Sequence, residues 1–452
     1  MKIIIGGATG AGIHLAALLS KDNYDCTLID EDESLFDAID SECDIRTLCG
    51  SPMSIRTLKD AGAADASLFV AITPSESVNI NACMLAHKIG TRKTMAMIDN
   101  YEYLAPAAEA FYLSMGVSTL ICPAVLAAQD IAGGLRQSWT RGHWDIHDGA
   151  LTLLAVKLHG TCGVLDTPLK DVCKPDDPYY IVAVKRGKDI IIPGGNDCLR
   201  DSDLVYFMTT EDNQQHVRRI AGKEHYSDVK NVIIIGGGAT ALRTALAAPS
   251  GVRIKIIEQD EERCEKLNQL LGDADALVIH GDGRDVQLLE EEGIANTQAF
   301  IALTGNAEAN ILACLTAKRA GVVKTIASVE NSGYVGMAEE FDIGTIINKR
   351  SITASHIFQM MLTADVSNIH SLTLADADMA EFTAAAGSPV TKKAVKALGL
   401  PAGAAIGGII REGKGLLVSG ETHIASGDTV LVFCNSHILR KMQKYFKSGA
   451  LW

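Results

Sequence analysis

Short runs of consecutive apolar residues punctuate the first hundred positions: Ile3 to Ile5, Cys26 to Asp30, Leu68 to Thr73 and Thr94 to Ile98. Between them, Ile13 to Leu19 and Asn79 to Ile89 place apolar residues three and four apart, the spacing that gathers one face of a helix. Strands that are apolar throughout, rather than alternating, belong to parallel sheets covered by helices on both faces. The pattern predicts a doubly wound, Rossmann-like α/β domain.

From residue 152 the pattern changes. Thr152 to Leu158, Tyr179 to Val184, Asp189 to Pro193 and Asp203 to Met208 read as short strands, broken by the turn residues Arg186-Gly187-Lys188 and Gly194-Gly195-Asn196-Asp197. Four such strands with little helix predict a small α+β lobe. Both patterns then return. KIIIGGATGAG (2–12) matches VIIIGGGATAL (232–242), LFVAITPSESVNINACMLAHKIG (68–90) matches AFIALTGNAEANILACLTAKRAG (299–321), and KTMAMIDN (93–100) matches KTIASVEN (324–331). The lobe strands of 182–207 match 407–433. The chain is a tandem duplication, A-B-A-B. Its expected divisions are nucleotide-type domains at 1–137 and 231–363, α+β lobes at 138–220 and 364–448, and a polar, aperiodic linker at 221–230.

The strongest chemical signal lies after the first strand of each A unit. A dinucleotide fold carries G-x-G-x-x-G/A there, for a tight turn, close approach of a pyrophosphate, and close helix packing, with helix N–H groups facing the phosphates. Gly236, Gly237, Gly238, Ala239, Thr240 and Ala241 satisfy this pattern completely. In the first copy, Gly7, Ala8, Thr9, Gly10, Ala11 and Gly12, a threonine takes the central position. Its Cβ crowds a pyrophosphate, although its hydroxyl is a possible donor to one. About 20 residues on, each second strand ends in a carboxylate, Asp30 or Glu258, placed to accept from ribose hydroxyls and to repel a 2′-phosphate. NAD(H) or an adenine nucleotide is favoured over NADP(H). No proton donor or base with an orienting partner stands out beside these loops, so binding is expected rather than catalysis.

At 452 residues the chain needs several cores. A net charge of −14 opposes both nucleic acid and direct adsorption to anionic lipid. The N-terminus turns glycine-rich after one lysine, unlike a signal peptide, and no apolar run approaches the roughly 18–20 residues that span a bilayer. A cytoplasmic location is expected, with any membrane association made through a protein. Eleven cysteines without a C-x-x-C read as small buried hydrophobes. His143 and His147 form a metal pair only on a helix, which the flanking Gly142 and Gly149 oppose, so they read as solvated connector residues. Thr73 and Thr304 end the fourth strands, where ligands bind in such sheets. Gly50-Ser51-Pro52 and Gly281-Asp282-Gly283 follow the third strands, and Asp282 is a candidate contact. Arg350 reads as a surface charge before a phosphate ligand.

Taken together, KIIIGGATGAG with Asp30, LFVAIT with Asn79, EYL (102–104), GGGATA with Glu258, HGDGRD (280–285), ALTGNAEAN (302–310) and IREGKGLLVSGETHIASGDTVLVF (410–433) resemble, in that order, the regulatory subunits of Trk-type bacterial potassium-uptake systems. Those proteins consist of tandem units called regulators of potassium conductance. The resemblance covers essentially the whole chain. It implies a non-enzymatic homotetrameric ring that docks on a membrane potassium translocating subunit and gates it through bound NAD or NADH, or ATP/ADP. Carried over by position, the first site comprises Gly7 to Gly12, Asp30, Thr73, Pro74 and Ile98, and the second Gly236 to Ala241, Glu258, Asp282 and Thr304. The chain departs from the family at Thr9 and at Met97, where arginine is common. The alternatives are an NAD-dependent oxidoreductase with an unrecognised catalytic group, a structural ring with vestigial sites, and a regulator of a different channel or transporter.

Overall fold

A computed structural model of the chain describes residues 1–21, 24–39, 43–174, 176–187, 189–272, 274–365, 372–374 and 377–447. Lys188 of the expected turn and the boundary at 448 lie outside the described residues.

The first A unit supplies six strands: β1 Lys2–Gly6, β2 Asp25–Asp30, β3 Arg46–Cys49, β4 Leu68–Ala71, β5 Lys93–Met97 and β6 Thr119–Ile121. All pair in parallel, in the order β3-β2-β1-β4-β5-β6. The reversal of strand order between β1 and β4 opens the crevice where such sheets bind ligands. The uninterrupted apolar runs follow from burial on both faces. Ile4, Ile29, Phe69 and Ala96 pack on one side against Leu58, Ala82 and Ala86. Ile3, Ile5, Leu28 and Val70 pack on the other against Leu15 and Leu19 of helix Gly10–Lys21.

In lobe one, β7 Gly142–Ile146, β8 Leu151–Lys157, β9 Tyr179–Arg186, β10 Asp189–Ile191 and β11 Leu204–Thr209 form an antiparallel sheet in the order β10-β9-β11-β8-β7. Strand β7 holds the His143 region. That region is therefore a strand rather than a connector, and the His143 side chain is only 5% exposed. The segment 221–230 is irregular, yet Ala221 joins the core of the lobe.

The second half repeats the plan. Strands β12 Asn231–Ile235, β13 Arg253–Glu258, β14 Ala276–His280, β15 Ala299–Ala302, β16 Lys324–Ser328 and β17 Thr345–Ile347 take the order β14-β13-β12-β15-β16-β17. The second lobe has β18 Leu372–Leu374, β19 Ala377–Thr383, β20 Ala404–Arg411, β21 Lys414–Leu417 and β22 Thr429–Asn435, in the order β18-β19-β22-β20-β21. Each lobe keeps one buried carboxylate in a two-pronged grip. Arg186 donates to Asp203 at 2.9 and 2.7 Å, and Arg411 to Asp428 at 2.8 and 2.7 Å.

The halves are interleaved. Helix Pro123–Leu135 leaves the first sheet at β6 but buries Ala127, Ile131 and Leu135 against Val232, Ile234, Ala241 and Ile256 of the second unit. In return, helix Lys349–Asp365 buries Ala354, Ile357, Phe358 and Met361 with Ile3, Ile5 and Leu15 of the first. The lobes share a third core, with Ile146, Leu153, Val182 and Met208 meeting Met379, Ile410, Leu431 and Phe433. Close contact there needs glycine, since a Cβ on Gly407 would lie 2.5 Å from Val182 Cγ1. Polar clamps complete the join. Lys324 Nζ donates to the carbonyls of Gln137 and Thr140 at 3.0 and 2.7 Å, and Arg141 reaches Asp342 at 2.7 Å.

Candidate nucleotide-binding sites

Both glycine loops form at the C-terminal end of the first strand of their sheet and with one hydrogen-bond plan. Gly7 (φ +120°) and Gly236 (φ +91°) lie in the region that favours glycine, and their N–H groups donate to the carbonyls of Ile29 and Ile257 at 2.8 and 2.9 Å. The next N–H reaches the acid at the end of the second strand. Ala8 N donates to Asp30 Oδ2 and Gly237 N to Glu258 Oε2, each at 2.6 Å. The other carboxylate oxygen accepts from Asp32 N or Asp260 N, both at 3.0 Å. Each carboxylate thus fixes its own loop with two of its about four lone-pair directions, Asp30 half-buried and Glu258 buried. Arg263 stands 3.5 Å from Glu258, whose side chain is 8% exposed.

Beyond the acid contacts the loops turn into helices Gly10–Lys21 and Ala239–Leu246. Among the described residues the N–H groups of Thr9, Gly10 and Ala11, and of Gly238, Ala239 and Thr240, meet no protein acceptor. They form the electropositive end that suits a phosphate group. A Cβ on Gly238 would meet nothing within 4 Å, so the central glycine of the second loop faces open space. In the first loop Thr9 fills that position, and its hydroxyl is otherwise engaged. Thr9 Oγ1 donates to Ile72 O at 3.0 Å and accepts from Gly12 N at 3.2 Å. The expected hydroxyl donor to a phosphate is therefore turned back onto the residue that follows β4. At the third glycine position a Cβ on Gly12 would sit 2.0 Å from Gly7 O. The second copy accommodates Ala241 there, fully buried.

Thr73 and Thr304 come to the same crevice through a network that neither periodicity nor motif discloses. Asn79, wholly buried, accepts from Thr73 N at 2.8 Å and Thr73 Oγ1 at 2.7 Å, and donates to the carbonyls of Thr73 and Met97, both at 2.9 Å. Asn310 does the same for Thr304 N at 3.1 Å, Thr304 Oγ1 at 2.6 Å, Thr304 O at 3.0 Å and Ser328 O at 2.9 Å. Each asparagine ties the end of the fourth strand to the fifth and fixes the crevice wall. The signal in the sequence is that Asn79 and Asn310 occupy one position of the repeat. Pro74 is exposed beside Thr73, whereas Ile98 is 1% exposed, with its side chain in the core rather than in the crevice. The Gly281 N to Glu258 O bond of 2.9 Å sets Asp282 next to the second acid. The Arg284 guanidinium, 2.8 Å from Asp282, holds its carboxyl below the usual range.

The remaining candidates lie elsewhere. His147 Nε2 is 2.8 Å from Glu381 Oε2 between the lobes, and His143 Nε2 is 3.2 Å from Asp145, so the two histidines have different carboxylate partners. Among the described residues no group of three or more metal-ligating side chains comes together. Seven of the eleven cysteines are buried and Cys49 is exposed. Arg350 is not an isolated surface charge. It crosses from the second half to cover Gly10, where an added Cβ would lie 2.7 Å from its Cδ and 2.8 Å from its Nη1.

Fold and loops define a protein with two dinucleotide-type units, each followed by an antiparallel lobe. The chain belongs to the TrkA-N domain family, which it matches over residues 3–123 and 232–349, and residues 379–447 match the TrkA-C domain. It is 28% identical to the Trk system potassium uptake protein TrkA of Azorhizobium caulinodans, over 99% of both chains. It is 29% identical to that of Vibrio alginolyticus, over 96% of this chain and 95% of the other. Among solved structures, the GsuK RCK domain superposes with a TM-score of 0.61 at 15% identity, covering 98% of this chain and 94% of that one. Among the described residues no helix is long and apolar enough to cross a membrane.

Proposed function

We propose that this protein is a regulatory subunit of a potassium-uptake system, located at the cytoplasmic face of the membrane, that binds NAD(H) or adenine nucleotides and gates a Trk-type translocating subunit from within a homotetrameric ring. The observation that carries the reading is the duplicated loop and acid plan, Gly7-Ala8 with Asp30 and Gly236-Gly237 with Glu258, in a chain related over its full length to Trk proteins. Nucleotide phosphates would lie on the helix N–H groups, and the ribose hydroxyls would donate to Asp30 or Glu258. Ligand binding biases a ring toward one conformation only by its difference in affinity between conformations. The interleaved helices supply a path, because each rests beside one glycine loop while its own sheet carries the other.

Thermal unfolding of the purified chain against NAD, NADH, ADP and ATP tests the binding. A ligand at about 100 times its dissociation constant adds about 2.7 kcal/mol of stability. Separate losses of response in Asp30→Ala and Glu258→Ala would assign a nucleotide to each site. No response to any of the four would remove the reading, and potassium flux through the translocating subunit that ignores nucleotide would remove the gating part.

A further inference from the structure

We infer that the first nucleotide site is completed by the second half of the chain, with Arg350 acting as a phosphate-binding residue that makes this site selective for nucleoside di- and triphosphates. The inference deepens the proposed function and rests on it. Arg350 is the second residue of helix Lys349–Asp365, the helix that crosses back onto the first sheet. Its guanidinium overlies Gly10, the first residue of the helix that follows the first glycine loop. In that loop the acid contact lies at Ala8. Gly10 is therefore at the phosphate end, away from the ribose end. A glycine there gives the guanidinium its space.

The charge is not consumed by the fold. The nearest carboxylate, Glu330, stands 4.0 Å from Arg350 Nε and also faces Lys349 Nζ at 3.9 Å, while accepting Lys349 N at 3.2 Å. One acid shared between two cations leaves the cluster net positive, and the Arg350 side chain is 57% exposed. A guanidinium with five donors, none of them in a hydrogen bond among the described residues, suits phosphate oxygens. The second site lacks the feature. Its crossover helix begins at Pro123 after β6, so Ala124 takes the place of Arg350, and Ala239, the counterpart of Gly10, is exposed. The two sites thus differ in kind: an open pyrophosphate cradle in the second, and a cradle narrowed by Thr9 but topped by a cation in the first.

Equilibrium binding of AMP, ADP and ATP to the full chain, as wild type, Arg350→Ala, Arg350→Lys and Gly10→Ala, tests this. Arg350→Ala should weaken ATP and ADP by about tenfold or more, the scale of one charge-assisted phosphate contact, and AMP less. Arg350→Lys should recover part of that loss, and Gly10→Ala, which pushes the guanidinium aside, should mimic it. NAD binding to the second site, followed in the same proteins, should be unchanged, which separates a local effect from misfolding. If the wild type binds ATP and Arg350→Ala binds it equally well, the inference is overturned and the proposed function stands. If the wild type binds no nucleotide, both are overturned.

Discussion

Asp30 and Glu258 each act on two levels, holding a backbone N–H of their own loop at 2.6 Å while facing the crevice. Replacing either with alanine should therefore cost loop order and, on the proposed function, ligand affinity as well. Asparagine in the place of Asp30 keeps an acceptor for Ala8 N, loses the charge and turns an amide N–H toward Asp32 N, so it spares the first contact at the expense of the second. Sequence spacing was enough to place these acids. It does not show the turned-back hydroxyl of Thr9 or the reach of Arg350, because each depends on a partner far away in the chain. Lys324 is a further case. Burial, and secondarily the charge of Arg141, push its ammonium down to about 7 from the ordinary 10.5. Between those values the unfolded chain binds the proton more readily than the folded one, so stability rises with pH across the window and the penalty is full below pH 7. Denaturant unfolding from pH 7 to 10 should show wild type gaining on Lys324→Met as pH rises. Parallel curves would show that Lys324 is protonated in the fold throughout.

At the level of elements, the run and spacing patterns located the main strands of the A units, and their parallel order follows from the apolar character of both faces. Strand β7 is hidden in the sequence because Gly142 and Gly149 punctuate it like a connector. The exchange of helices was illegible for a deeper reason, since an amphipathic period says that a helix covers a sheet but not which one. The exchange predicts crossed effects. Phe358→Ala lies in the second half, yet it should cost about 3–5 kcal/mol in the core beside the first glycine helix and weaken the nucleotide response of the first site more than that of the second. Ile131→Ala should do the reverse, at about 2–5 kcal/mol. Urea unfolding combined with nucleotide-dependent melting of the two variants would show the crossing, and effects confined to the mutated half would refute it.

At the level of the whole molecule, the two halves form one folding unit with three shared cores. Fragments 1–230 and 231–452 should each be insoluble or unfolded when expressed alone, and should assemble into a folded pair when expressed together, as gel filtration and circular dichroism would report. Two fragments that fold independently would contradict the interleaving. Covalent fusion has a consequence for how the two sites differ. Were two identical units to pair about a twofold axis, an arginine at the start of one crossover helix would have to recur at the other, and both sites would read the same signal. Within a single chain that constraint is lifted, so position 350 carries arginine while its counterpart, Ala124, carries only a methyl group. On the proposed function, each polypeptide would then deliver two unlike sensors in a fixed one-to-one ratio, whatever the expression level of the gene.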